Sequence, residues 1–300
     1  MLDYNGKVAG IVSRDQSWQY IVAEPKNGSI KIAASGCIDL ETAGPESFLP
    51  LLGCKCVYGI NRSQYHRKQF HLADDLAASD SEQFIWELSH CSVDNIENYH
   101  YSLLQLHPGD KGIHIECLSI NRKTFDQIGH VFDRHQLTLD KLIFEPEAIR
   151  QSVKPLISDD RVMFLHVEND SVCLQMFRRG HLVAMEILRG NSLAADASQL
   201  NLAEEIGVLL MSTFGGRTVR TKISLYTSGD QVRAAIAVCL KQTLHYDFTL
   251  FDFPFDRLHI DSNGLNNQQL HQYFSPLMLC YAYNRSLKCA SLPEKNAVLS

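Results

Sequence analysis

The sequence predicts a two-domain α/β protein, and three observations carry that expectation. First, residues 161–190, RVMFLHVENDSVCLQMFRRGHLVAMEILRG, read as a three-stranded meander that opens a domain in mid-chain. Met163, Leu165 and Val167 alternate with less apolar neighbours, as a half-buried strand should. The turn signal Asn169-Asp170 follows, and Val172, Leu174 and Met176 alternate again. Arg179-Gly180 supplies the next turn, and Leu182, Ala184, Glu186 and Leu188 lie along a third strand. Second, residues 7–38 read as a meander of the same kind. Laying Val8 on Val162 puts Ser17 on Ser171 with no gap across the first turn, a weak internal repeat spaced by about 150 residues. Third, a strand over 222–226 runs through a tight turn into a helix over 230–244. Two matched domains in one chain is the simplest reading.

Taken in order, residues 7–12 are a strand, 13–16 a tight turn and 18–23 a second strand. Lys26-Asn27-Gly28 is a hairpin turn, since Asn-Gly supplies the positive φ such turns need, and Ile30, Ile32 and Ile38 lie along the third strand. A short helix or loop over 39–50 ends at Pro50. Strands follow over 55–60 and 65–72, then a polar connection over 73–82 and a helical stripe of Phe84, Ile85 and Leu88 carrying Trp86-Glu87. Pro108-Gly109-Asp110 joins strands over 99–107 and 112–120. A helix over 123–135 places Phe125, Ile128, Val131 and Phe132 on one face. A strand over 139–144 and a helix over 145–153 lead through Pro155 into the second domain. There an amphipathic helix over 200–214 carries Ile206, Leu209, Leu210 and Phe214. A short strand lies within 246–260, one last helix within 268–288, and the tail from Ser291 frays. The expected domains are 1–154, with an α+β insertion near 80–140, and 155–300.

Composition narrows the function. Three hundred residues with 45% hydrophobic content suffice for two cores, and a net charge of −6 argues against a nucleic-acid partner. The basic run His66-Arg67-Lys68 is short and reads as a solvated strand edge. No apolar stretch approaches the ~18–20 residues of a membrane span, and no signal-peptide pattern opens the chain. A cytoplasmic protein, peripheral to a membrane only through a partner, is expected. Nine dispersed cysteines suit reduced thiols.

Other chemistry finds little support. Cys54-Lys55-Cys56 puts two thiols on one strand face, but no second pair completes a four-ligand zinc site, and the thirteen histidines lack ligand spacing. No metal is assigned. The esterase elbow, the P-loop and the dinucleotide fingerprint are all absent from the sequence. Gly215-Gly216 reads as a helix C-terminal cap, and Glu204-Glu205 as carboxylates favoured by a helix dipole.

The paired meanders, the strand–turn–helix over 222–244 and the inserted unit together resemble the actin-like ATPase fold, a duplicated ribonuclease H-like architecture. Within it the chain looks most like the PilM-like proteins of type IV pilus assembly and their MshI counterparts of MSHA pilus biogenesis. Gly10-Ile11-Val12-Ser13-Arg14 sits where those proteins carry a Gly-Ile-Asp-Ile-Gly type of sequence. Phe84-Ile85-Trp86-Glu87 resembles their helix with a Trp-Glu pair, Tyr99-His100-Tyr101 the strand after it, and LDKLIFEPEAIR over 139–150 the connection into the second domain. The resemblance implies a non-catalytic cytoplasmic scaffold of a pilus machine. It would bind the cytoplasmic N-terminal segment of a PilN-like inner-membrane protein and work with the assembly platform or motor ATPase. The peptide groove would be walled by residues 58–72 and the insertion, gaining affinity from backbone hydrogen bonds and side-chain pockets. Alternatives on the same fold are an L-type component of type II secretion and an active ATPase or kinase.

The departures from the family pattern concern its nucleotide turns. An actin-like ATPase uses Asp-x-Gly in each first turn, the Asp organising Mg²⁺ and its waters and the Gly admitting the phosphates to the backbone. Here Val12 and Arg14 hold those positions in the first domain, and His166 and Glu168 in the second. Asp15 and Asp170 are shifted along the chain. The adenine-side turn reads Tyr226-Thr227-Ser228-Gly229-Asp230, with Asp230 suited to cap the following helix. Ser13, Arg14, Asp15, Glu168, Asn169, Ser228, Gly229 and Asp230 thus form a vestigial nucleotide site, without expected hydrolysis and without an assigned cofactor. ATP binding stays open through Arg14, whose guanidinium fork could take a phosphate; the favoured reading makes Arg14 a solvated turn residue.

Overall fold

The protein is described from a computed structural model over residues 6–26, 29–61, 63–72, 96–106, 113–154, 159–168, 171–189, 196–214, 222–229, 233–244 and 246–290. The expected Trp86-Glu87 helix, the turn at 108–110, Gly215-Gly216 and the tail from Ser291 lie outside these residues.

Three sheets organise the chain. In the first, β1 (Val8–Arg14), β2 (Ser17–Lys26) and β3 (Ser29–Asp39) form an antiparallel meander. β4 (Lys55–Ile60) and β8 (Thr138–Phe144) extend it in parallel beside β1, and the two-residue β14 (Ile260–Asp261) pairs with β3. The second sheet has the order β11-β10-β9-β12-β13. It contains β9 (Arg161–Glu168), β10 (Ser171–Arg178), β11 (His181–Arg189), β12 (Lys222–Gly229) and β13 (Asp247–Asp252). The third is antiparallel in the order β5 (His66–Leu72), β7 (Ile113–Asn121), β6 (Tyr99–Leu106); it begins before the insertion expected near 80–140 and groups with the second sheet's unit, not the first. The described α-helices are α1 (Arg122–Arg134), α2 (Glu145–Val153), α3 (Asp196–Phe214), α4 (Arg233–Thr243), α5 (Asn267–Gln272) and α6 (Phe274–Ala290), and the segment expected as a short helix or loop over 39–50 carries a 3-10 helix over Pro45–Leu51.

The repeat seen in the sequence is repeated in the pairing register. Val8 pairs with Ala23, Val12 with Gln19 and Arg14 with Ser17; the equivalents Val162, His166 and Glu168 pair with Phe177, Cys173 and Ser171. In both meanders the innermost pair is three positions apart in the chain. The irregularity recurs as well, because the register against the third strand shifts between Val22 and Ala23 in one meander and between Met176 and Phe177 in the other. An extra residue at the same place bends both meanders alike.

The chain divides into two compact units, one drawn from residues 1–64, 126–152 and 255–300 and the other from 65–125 and 153–254. A boundary at 154/155 does not describe this division, because the C-terminal segment groups with the first sheet. β14 pairs with β3, and α6 reaches β1, where the Gly10 backbone N–H donates to Cys280 Sγ at 3.1 Å. Gly10 is required there, since a Cβ would stand 2.0 Å from the Pro276 carbonyl oxygen. Tyr283 donates to Asp140 Oδ2 at 2.5 Å and ties the same helix to β8. On the first unit's aromatic side, Trp18 stacks on Phe132 at 4.9 Å and meets Phe48 and Tyr58 edge-on. The single C-terminal helix expected over 268–288 is two helices parted at Tyr273. Pro276 lacks the N–H that would continue the ladder back to Gln272, so the chain restarts after a separately capped turn of Asn266 and Gln269.

In the second unit Met163, Leu165, Val167, Val172, Leu174 and Met176 pack against Leu202, Ile206 and Leu210 of α3 and Ile236 and Leu240 of α4. β9 is buried on both faces rather than half-buried, with Phe164 meeting Phe253 edge-on at 5.7 Å on the other side. A central strand with parallel and antiparallel neighbours needs apolar residues throughout. The inserted sheet is clasped to the edge strand β11 within this unit. Arg67 holds both carboxylate oxygens of Glu186, at 2.6 and 3.1 Å, and also donates to the Met185 carbonyl. Arg67 is therefore not part of a solvated edge, although His66 and Lys68 beside it are exposed.

Candidate functional site

β1, β4 and β8 run parallel, so their C-terminal ends deliver Arg14, Asn61 and Glu145 to one edge of the first sheet. Such an edge is where open α/β sheets gather functional side chains. The two-residue turn places Asp15 at φ 51°, a left-handed conformation that Asp tolerates, and Ser17 Oγ donates to the Arg14 carbonyl at 2.9 Å. Asn61 Nδ2 donates to the Ser13 carbonyl at 2.9 Å and fixes the strand end. Val12 is fully buried and offers no oxygen to the turn.

Arg14 is not a solvated turn residue. Its Nη1 donates to Glu145 Oε1 at 2.9 Å and its Nη2 to Oε2 at 3.1 Å, and the two side chains are only 11% and 10% exposed. This parallel, two-bond arrangement is the strong form of an ion pair. Glu145 heads α2, where the helix dipole also favours its charge. Gly59 leaves room for it, since a Cβ there would lie 3.0 Å from Glu145 Cγ. Beside the pair, Tyr58 accepts a hydrogen bond from Gln64 Nε2 at 2.9 Å, and burial pushes its phenol above the ordinary value. Glu145 and Asn61 are the site residues sequence reasoning missed. The available signal for Glu145 was a carboxylate placed at the strand-to-helix junction of the Phe144-Glu145-Pro146 stretch.

In the second unit the parallel pairing of β9 and β12 sets Ser228 directly opposite His166. Ser228 Oγ and His166 Nδ1 lie 2.9 Å apart, and His166 Nε2 is 3.6 Å from Glu168 Oε1. His166, a poor Mg²⁺ ligand by type, thus bridges the ends of two strands, with Ser228 fully buried behind it. Gly229 has φ 93°, and a Cβ there would stand 1.9 Å from the Val167 carbonyl oxygen; the position admits glycine alone. The Gly229 carbonyl accepts from Arg233 Nη1 at 3.1 Å. Of the expected residues, Ser13, Arg14 and Asp15 come together in the first unit and Glu168, Ser228 and Gly229 in the second. Asn169, Asp170 and Asp230 lie outside the described residues. Among the described residues no group of three or more His, Cys, Asp or Glu is placed to hold a metal ion.

No family profile and no curated protein sequence matches the chain. Solved structures do. The chain is similar to a PilM–PilN type IV pilus biogenesis complex, with a TM-score of 0.62, 13% identity and coverage of 94% of this chain and 98% of that one. It is similar to a protein of Bacteroides thetaiotaomicron with an actin-like ATPase fold and unknown function, at TM-score 0.55 and 11% identity over 93% and 99% of the two chains. It is also similar to the cytoplasmic domain of EpsL, an inner-membrane component of the Vibrio cholerae type II secretion system. There the TM-score is 0.50, with 9% identity over 94% and 95% of the chains. These likenesses establish the fold, a duplicated actin-like α/β architecture. No helix among the described residues is long and apolar enough to cross a membrane.

Proposed function

We propose that this protein is a non-catalytic scaffold of a pilus- or secretion-type membrane machine. It acts in the cytoplasm and reaches the inner membrane by binding the N-terminal cytoplasmic segment of a PilN-like protein. The observation that carries the non-catalytic half is the Arg14–Glu145 pair. In place of a bare glycine turn and a free carboxylate, the head of the first sheet holds two opposite charges that satisfy each other. The second turn supports the same reading, because His166 is engaged by Ser228 and a carboxylate at Glu168 would repel a phosphate. Val12 and His166 stand where an actin-like ATPase places the carboxylates that organise Mg²⁺.

The partner half is supported by the likeness to the PilM–PilN complex and to EpsL. An extended peptide would dock along an edge of the inserted sheet by backbone hydrogen bonds. Binding of a fluorescent synthetic peptide copying the cytoplasmic N-terminus of a PilN-like protein, measured by anisotropy, tests this. Saturable micromolar binding that needs no nucleotide is expected. Absence of binding to that peptide, with capture instead of an L-type secretion partner on coexpression, would move the protein to the secretion alternative. Phosphate release from Mg-ATP above the buffer rate would overturn the non-catalytic reading.

A further inference from the structure

We propose that the Glu145 carboxylate is an internal ligand of Arg14, an autoinhibitory contact that excludes free anions from a guanidinium fork otherwise able to bind them. The proposal rests on the reading of the first unit as nucleotide-independent and gives that independence a physical cause.

The fork is positioned without help from Glu145. Arg14 Nη1 donates to the Ser13 carbonyl at 3.0 Å, and Asn61 Nδ2 anchors that same carbonyl. The turn below is fixed by Ser17, whose hydroxyl donates to the Arg14 carbonyl. The guanidinium therefore presents Nη1 and Nη2 in a set direction, and both carboxylate oxygens meet them at 2.9 and 3.1 Å. A phosphate or a free carboxylate would use the same two-bond geometry. Glu145 lies 131 positions along the chain, just past the C-terminal end of the parallel strand β8, so the contact is one that folding assembles. Once assembled it is intramolecular. Its effective concentration lies in the millimolar range or above, so dissolved anions at cellular levels compete poorly.

Removing the carboxylate should uncover the anion site. The probe is inorganic phosphate, titrated into the wild-type chain, Glu145→Ala, Glu145→Gln and the double variant Arg14→Ala/Glu145→Ala. Binding is followed by calorimetry and by the midpoint of thermal unfolding. In the wild type, 10 mM phosphate should leave the midpoint unmoved beyond the shift given by equal ionic strength of chloride. Glu145→Ala should unfold at lower temperature, and phosphate should raise its midpoint by several degrees, the response of a site filled well above its Kd. The double variant should lose that response. Glu145→Gln keeps the side-chain volume and carries the test if the alanine variant does not fold; it should gain phosphate binding in the same direction.

Equal phosphate responses in the wild type and Glu145→Ala would overturn the proposal. So would a folded Glu145→Ala or Glu145→Gln with no response, or a response that survives loss of Arg14. None of these outcomes bears on the peptide experiment, which tests the scaffold reading by itself.

Discussion

Arg14→Ala should be among the most damaging substitutions near the protein's surface. The charges it separates are held at 2.9 and 3.1 Å, with each side chain about nine-tenths buried. For charge centres about 4 Å apart at an effective dielectric of about 20, the attraction is roughly 4 kcal/mol. Deleting one partner of a buried pair costs about 3–5 kcal/mol, because the other charge is left without a counter-ion. Residual exposure and the dipole of α2, worth ~0.5–1 kcal/mol to a carboxylate at its first turn, bring the expectation for Arg14→Ala to about 2–4 kcal/mol. Glu145→Ala should cost somewhat more, since no helix dipole comforts the stranded guanidinium. The apolar double variant Arg14→Met/Glu145→Leu should recover most of the loss, within about 1–2 kcal/mol of the wild type. Urea unfolding followed by circular dichroism closes this cycle. Single losses below about 1 kcal/mol that simply add in the double variant would refute the buried-pair argument.

Other substitutions test the frame around the site. Gly229→Ala forces a Cβ onto the Val167 carbonyl at 1.9 Å in a left-handed conformation, and should cost ~3 kcal/mol or more, read by thermal unfolding. Gly10→Ala drives a Cβ against the Pro276 carbonyl at 2.0 Å and should loosen α6, with faster amide exchange along 274–286 as the readout; unchanged exchange would contradict that packing. Burial pushes the Cys56 and Cys280 thiols from the ordinary value near 9 to about 12. A native value above the unfolded one means that the stabilising proton is fully bound below pH 9 and lost as pH climbs towards 12. Stability should therefore fall steadily across that window in alkaline unfolding experiments, and Cys56→Ala/Cys280→Ala should flatten the fall. In native protein exposed Cys37 should react with a thiol reagent well before either buried group.

Much of the fold was legible in the sequence because register is a local property. The two-residue turn Asp15-Gln16 fixes how the first meander pairs, and alternating apolar residues fix the faces of both. The alignment of Val8 with Val162 could therefore be found without coordinates, and the pairing bears it out. What a residue type cannot do was legible too: Val12 has no ligand atom in either description. The partner of Arg14 was not legible, since Glu145 stands 131 residues away and meets it only once β1, β4 and β8 lie parallel. The same holds for Arg67, whose partner Glu186 lies 119 residues on. The return of the last helix to the first sheet was hidden for a related reason. Its one strand pairing spans only Ile260 and Asp261, too short for any periodicity. The break before α6, in contrast, was written in Pro276 and passed over.

The central claim is that the first-turn site is closed by its own side chains. Thermal unfolding of the wild-type protein with and without 1 mM Mg-ATP tests it most directly. A site with a Kd near 10 µM would gain roughly 2.7 kcal/mol at that concentration, several degrees for units of this size. The Arg14–Glu145 pair predicts no shift beyond that of Mg²⁺ alone. A rise of several degrees that disappears in Arg14→Ala would contradict the account and make Arg14 a nucleotide ligand.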